Sequence, residues 1–225
     1  MNKITRLMTV CAALLLIVPA ASADWSDNFD SYALGSGLIG QGGWDGWEGS
    51  AAADAFVSDT QALSAPHSLL SVPTTDIVQE FTETSGDWIM TGYCYIPTGS
   101  TGKQYFIMLN TYDGGTSTFN WSVQLEYDSD GGIVTDYYSS SVTALINDTW
   151  VQVRAEIHLD INVYELYYND VFLASNAWQD GSGVNEIAAL DIFSDGGSAI
   201  YWDDFTLIGG GALEHTTWGN IKTLL

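Results

Sequence analysis

The stretch Thr149 to Val171, TWVQVRAEIHLDINVYELYYNDV, decides the fold. In its first half Val151, Val153, Ala155, Ile157 and Leu159 share one parity; Gln152, Arg154, Glu156, His158 and Asp160 share the other. Side chains alternate across a strand, so this period of two predicts a strand with one buried and one wet face. After the polar break Asp160-Ile161-Asn162 come VYELYY, then Asn169-Asp170, then VFLA. Val, Tyr and Phe favour strands, and Asn-Asp suits a tight hairpin turn. The stretch predicts a central antiparallel meander and names no activity by itself.

The same patterns recur on either side. Trp25 to Tyr32 reads as a first strand, with acids around Phe29. Short strands follow at Phe56–Ser58, Ser68–Val72, Asp76–Phe81 and Trp88–Ile96. In QYFIMLNTY, Gln104 to Tyr112, polar positions are few. Either both its faces are covered, or the second carries aromatic side chains for a partner. Phe119 to Tyr127 alternates, with Trp121, Val123, Leu125 and Tyr127 predicted on one face and Ser122, Gln124, Glu126 and Asp128 on the other. Ile133–Tyr137 returns as a hairpin partner, and Ser139 to Asp148 is a crossover with room for a helical turn. Ile187–Phe193 and Ala199–Ile208 complete the set. Short strands, Gly/Asp/Ser turns and no long helical period predict a two-sheet sandwich or a barrel.

Composition bounds the rest. Lys3 and Arg6 precede an apolar run, Leu7 to Ala20, and Ala21-Ser22-Ala23 is an A-x-A cleavage signal. This predicts a secretory signal peptide over 1–23, a sandwich domain over 24–209 and a short tail over 210–225, with an amphipathic helix in it. The product would be extracellular or periplasmic. Cys94 alone remains after cleavage, so no disulfide framework is built. The formal net charge is −23. Such a surface repels nucleic acid and anionic membranes, which excludes both as partners by simple attraction. Nine Trp and twelve Tyr argue for a packed core despite the charge. In the Gly-rich GQGGWDGW, Trp44 and Trp47 either plug one end of that core or present a platform for stacking sugars.

The frame WVQVRAEIHL, then VYELYYN, with the closing YWDDFTL, resembles the laminin-G-like, concanavalin-A-like jelly-roll domains of secreted bacterial proteins, as does GQGGWDGW near the start. The resemblance covers nearly all of the chain after Ala23. It implies an all-β fold of two antiparallel sheets stacked as a jelly-roll β-sandwich. It also implies a function among sugar-binding modules, adhesion modules, glycoside hydrolases and polysaccharide lyases, between which fold cannot choose.

Three candidate sites follow. Asp27 and Asp30 near the first strand, with Asp203 and Asp204 on the last, match the resemblance's structural calcium between terminal strands. Ca2+ takes six to eight hard oxygens, and converging carboxylates need a cation. DSDGG at Asp128 and DGG at Asp113 lack the twelve-residue calcium frame. On the wet face, Arg154, Glu156 and His158 with Gln124 and Glu126 would form a polar floor if their strands adjoin. Tyr93 and Tyr95 would supply stacking rings for a glycan or another cell-surface or matrix component. The plain alternative is a solvated face holding an Arg–Glu pair. For catalysis, Glu156, His158 and Asp160 look distantly like the alternating acids of glucanases, with His in the helper's place. Strand rise puts residues two apart at about 6.5 Å and four apart at about 13 Å, which is long for a retaining pair at about 5 Å. A lyase set would draw on His158, Arg154, Gln124 and Tyr164. No Ser-His-Asp elbow, HExxH, P-loop or dinucleotide fingerprint occurs.

Overall fold

The computed structural model describes residues 25–210. The expected signal peptide, and the tail from residue 211 on, lie outside them. In chain order the strands are β1 (Trp25–Asp27), β2 (Trp44–Gly46), β3 (Phe56–Ser58), β4 (Ser68–Ser71), β5 (Asp76–Glu83), β6 (Asp87–Tyr95), β7 (Lys103–Asp113) and β8 (Thr118–Asp128). There follow β9 (Ile133–Asp136), β10 (Val142–Ala144), β11 (Trp150–His158), β12 (Val163–Tyr168), β13 (Val171–Asn176), β14 (Ile187–Asp195) and β15 (Ile200–Gly209). Two antiparallel sheets result. The first runs β13-β12-β11-β6-β15-β4-β3, with β1 also beside β15; the second runs β10-β9-β8-β7-β14-β5-β2. This is the all-β, two-sheet sandwich of the concanavalin-A-like kind.

Alternation builds the core between the sheets. On β11 Val151, Val153, Ala155 and Ile157 are buried; on β8 so are Val123, Leu125 and Tyr127. Each fully buried aliphatic side chain contributes about 1.5–3 kcal/mol relative to exposure. Trp44, Trp178 and Trp202 are the largest buried side chains, and Trp202 stacks on Phe205 at 5.7 Å. Gly92 on β6 leaves room for that pair, because a Cβ there would sit 2.3 Å from the Phe205 ring. Buried polar groups tie sheet to sheet. The Ser71 hydroxyl of β4 donates to Gln104 of β7 at 3.1 Å. Asp136 of β9 accepts from Asn176 of β13 at 3.1 Å and from the Tyr164 hydroxyl of β12.

The hairpin at Asn169-Asp170 forms as expected. Both residues have positive φ, 53° and 59°, the conformation whose twist matches flanking strands. Four details differ from the sequence reading. The meander β11–β12–β13 forms one edge of its sheet rather than the centre. β11 ends at His158, and Asp160 lies in a 3-10 turn over Leu159–Ile161, so the alternation stops one residue pair early. The crossover carries a short strand, β10, where a helical turn had room. Finally, Trp121 does not share the inward face of Val123. The ladder pairs Val123 with Met108 and then Trp121 with Leu109, so Ser122 is an extra residue in β8. One inserted residue reverses the facing of everything beyond it.

Candidate ligand-binding groove

The polar floor expected from Arg154, Glu156, His158, Gln124 and Glu126 is not assembled. β11 and β8 belong to different sheets, and both bury the opposite parity, so these residues point away from each other across the sandwich. On the outer face of the first sheet, Arg154 pairs with Glu156 and lies 3.9 Å from the centre of the Tyr167 ring. His158 Nδ1 is 2.8 Å from Asp87. Asp160 accepts the Gly86 N–H at 3.0 Å. The Tyr93 hydroxyl accepts from Gln152 at 2.9 Å, and Tyr95 packs between Trp150 and Tyr201. Each has a local partner, as on a solvated face. The lyase set is scattered too, because Tyr164 is fully buried.

The four acids assigned to calcium are brought near β15 but hold protein donors. Asp27 accepts the Phe29 N–H at 2.9 Å, the Tyr32 hydroxyl at 2.7 Å and Trp44 Nε1–H at 2.9 Å. Asp30 accepts the His67 N–H, and Asp203 accepts those of Leu63, Ser64 and Asp204. Asp204 accepts from the Ser64 hydroxyl at 2.6 Å. Asp203 and Asp204 sit where β15 exchanges β4 for β1 as its partner. The acids thus pin the 61–67 loop across that junction. Among the described residues no group of three or more His, Cys, Asp or Glu that could hold a metal ion is found. Burial, with the Asp204 charge adding to it, pushes the Asp203 carboxyl up to about 7 against the pull of its N–H donors.

The second sheet carries a different surface. Its inward face feeds the core through Phe106, Met108, Leu190 and Ile192, while Val78, Ile107, Leu109 and Ala189 form an apolar patch on the outer face. β7 therefore has its second face dressed with aromatic and aliphatic side chains. The two tryptophans of GQGGWDGW divide between the faces. Trp44, on β2, is buried in the core; Trp47, in the following 3-10 turn, packs over the outer patch. Gly46 permits that turn, since a Cβ there would lie 2.0 Å from the Ser50 carbonyl oxygen. The Tyr112 hydroxyl accepts the Glu48 N–H at 3.0 Å and fixes the turn on the sheet.

These rings wall a groove of about 500 Å³. Along one side Trp47, Phe119 and Trp121 follow one another at 5.1 and 4.9 Å. Tyr105 and Phe193 stack at 5.5 Å, and Tyr137 and Tyr138 stand at the β9 end. Trp121 is 37% exposed and Tyr137 63%, so ring faces are open to a ligand. Gln124, Asp76 and Asp191 are the polar groups in the lining. Tyr105 donates to Glu126 at 2.7 Å, and Lys103 Nζ binds the same carboxylate at 2.7 Å. Beyond Trp47, Asp76 and Phe193 the groove continues into a second hollow with Glu48, Ser50 and Thr74.

Asp76 and Asp191 are diagonal neighbours, since Asp76 is opposite Phe193 and Asp191 opposite Val78. The two carboxyls act on each other, which opposes ionising both. Burial, opposed by the Asp191 hydrogen bond and helped by the Glu48 charge, pushes Asp76 up to about 6. Burial, with the Asp76 charge adding, drives Asp191 well above the carboxylate range. Asp191 is 3% exposed, and its Oδ1 has no hydrogen-bond partner. The sequence reading missed both residues. The available signal was a lone acid inside the apolar run IAALDIF, where an unpaired charge is costly.

No family model and no curated protein matches the chain. Several solved structures are similar to it. An endo-β-1,4-glucuronan lyase from the fungus Trichoderma reesei superposes with a TM-score of 0.51 at 5% identity, over 84% of this chain and 96% of that one. The carbohydrate-binding module CBM66 from Bacillus subtilis gives 0.48 at 12%, over 74% and 96%. The Caenorhabditis elegans galectin LEC-6 gives 0.44 at 9%, over 60% and 92%. At such identities the likeness is one of fold, and the first of these supports the concanavalin-A-like sandwich.

Proposed function

We propose that this chain is an exported carbohydrate-binding module of the concanavalin-A-like type. It takes a glycan without strong negative charge in the groove on the outer face of the second sheet. The observation that carries the reading is the open wall of rings above a few convergent polar groups. Sugars offer flat C–H faces for stacking and hydroxyls for hydrogen bonds, and a groove of this size and lining accommodates both. The net charge of −23 argues against polyanionic chains.

Binding is favoured over turnover by the acid geometry. A glycosidase pair holds its carboxyls about 5–9.5 Å apart, with the sugar or a water between them. Asp76 and Asp191 are instead diagonal neighbours on paired strands that act directly on each other. Glu156 and His158 lie on the opposite outer face with partners of their own.

The test is a glycan array followed by titration calorimetry on the purified protein. Trp121→Ala is expected to weaken the best ligand at least about tenfold while leaving the thermal midpoint within a few degrees. Arms with calcium and with chelator read any metal dependence through Asp27, Asp30, Asp203 and Asp204. Release of products from the bound glycan would replace the module by an enzyme. No binding across a broad panel by folded protein would leave a structural or adhesive role.

A further inference from the structure

The groove has an electrostatic defect. Two neighbouring carboxyls lie at its floor, Glu48 faces the adjoining hollow, and Asp191 Oδ1 is buried without a partner. Buried polar atoms are nearly always paired, and an exception of this kind marks a place for something else. Among the described residues no cation serves it. Among the described residues the side chains with permanent positive charge are Lys103 and Arg154. Lys103 is held by Glu126 and Asp128, and Arg154 lies on the far face of the other sheet against Glu156. Around the acids stand Trp47, Tyr105 and Phe193, whose ring faces attract positive charge. Acids at the floor and aromatic rings at the wall are complementary to an ammonium group.

We propose that the groove recognises an amino sugar, with its free protonated amine set against Asp191 and Asp76 and its neighbouring rings stacked along Trp121, Phe119 and Trp47. This rests on the glycan-binding reading and names the class of glycan. A sugar chain fits better than a lysine-bearing peptide. The groove lies over β5, β14, β7 and β8, whose backbone groups are already spent within the sheet, so it offers no free strand edge to a peptide. It also runs on into a second hollow, as a chain of several sugar units requires. The amine replaces the proton that the carboxyl pair otherwise shares. That proton leaves to solvent, and both carboxylates then face the ammonium.

The experiment titrates the full chain with three oligosaccharides of equal length: glucosamine, N-acetylglucosamine and glucose oligomers, all β-1,4-linked. The glucosamine oligomer is expected to bind at least tenfold tighter than the other two near pH 6.5. Calorimetry in two buffers of different ionisation enthalpy should register proton release on binding. Asp191→Asn should abolish both the preference and the proton release, so that the free-amine oligomer binds no tighter than the acetylated and glucose oligomers. Asp76→Asn serves as the second variant if the first fails to fold. Equal affinity for acetylated and free-amine oligomers overturns the inference and leaves glycan binding standing. A preference that survives both variants is adsorption to the acidic surface, and also overturns it. Equal binding of a lysine-rich peptide assigns the groove to peptides. Failure of every oligosaccharide removes the glycan-binding reading itself.

Discussion

Asp27 shows how much of a residue's role its partners in the fold decide. Its neighbours Asp30, Asp203 and Asp204 made a cation the natural expectation. In the fold its two oxygens take a backbone N–H, a tyrosine hydroxyl and the indole N–H of the buried Trp44. Phe29, which its carboxylate steadies, has a φ of 63° and is fully buried. Asp27→Ala would leave the indole donor without its acceptor inside the core. Such a loss costs about 1–3 kcal/mol for each buried group, so the variant should lose at least about 2 kcal/mol in urea denaturation. An unchanged midpoint would deny the carboxylate this role. The indole partner of Asp27 is 17 residues away, and the loop partners of Asp203 are 139 and 140 away. An acid in a sequence does not state whether its complement is a metal or an N–H.

At the scale of the element, β8 carries the decisive irregularity. Its inner half obeys strict alternation, and its facing could be read from the residues alone. Past Ser122 the facing reverses, and Trp121 is turned from the core to the groove. Bulges commonly re-aim side chains in this way. Inserting one alanine between Met108 and Leu109 of β7 gives Ser122 a partner, restores the uninterrupted period and should drive Trp121 inward. The expected result is loss of glycan binding in calorimetry, with a lowered thermal midpoint from the overfilled core. Undiminished binding would mean that the bulge does not place the ring. The Asn169-Asp170 hairpin was legible because its turn chemistry and both strands lie within one run of 14 residues. The bulge was not, because an extra residue is visible only against the partner strand β7.

Across the whole molecule, acid dominates. Asp76, Asp191 and Asp203 all have their carboxyls raised by burial from an ordinary value of 3.8, to about 6 for Asp76 and about 7 for Asp203. Over that interval the folded chain holds protons that the unfolded chain has released, so stability must fall as pH rises. Their contribution is complete below about pH 4 and is lost by about pH 7 for Asp76 and Asp203, and Asp191 acts in the same direction. Self-repulsion of a chain at −23 acts in the same direction, because fewer charges remain at low pH. The thermal midpoint is therefore expected to be higher at pH 5 than at pH 8. Asp191→Asn should narrow the difference, and salt should reduce the part due to repulsion. A midpoint rising with pH would contradict the buried carboxyl pair.

The sequence by itself determined what period and turn chemistry can encode locally: strands, their inward residues, an all-β sandwich, and an acidic surface hostile to polyanions. Only the tertiary structure decided which strands share a sheet. That separated Gln124 and Glu126 from Arg154, Glu156 and His158, and brought Asp76 beside Asp191 under Trp47 and Trp121. The reason is geometric. Alternation tells a strand which side is wet, while a sandwich has two wet sides, and only the path of the chain between sheets says which one a residue meets.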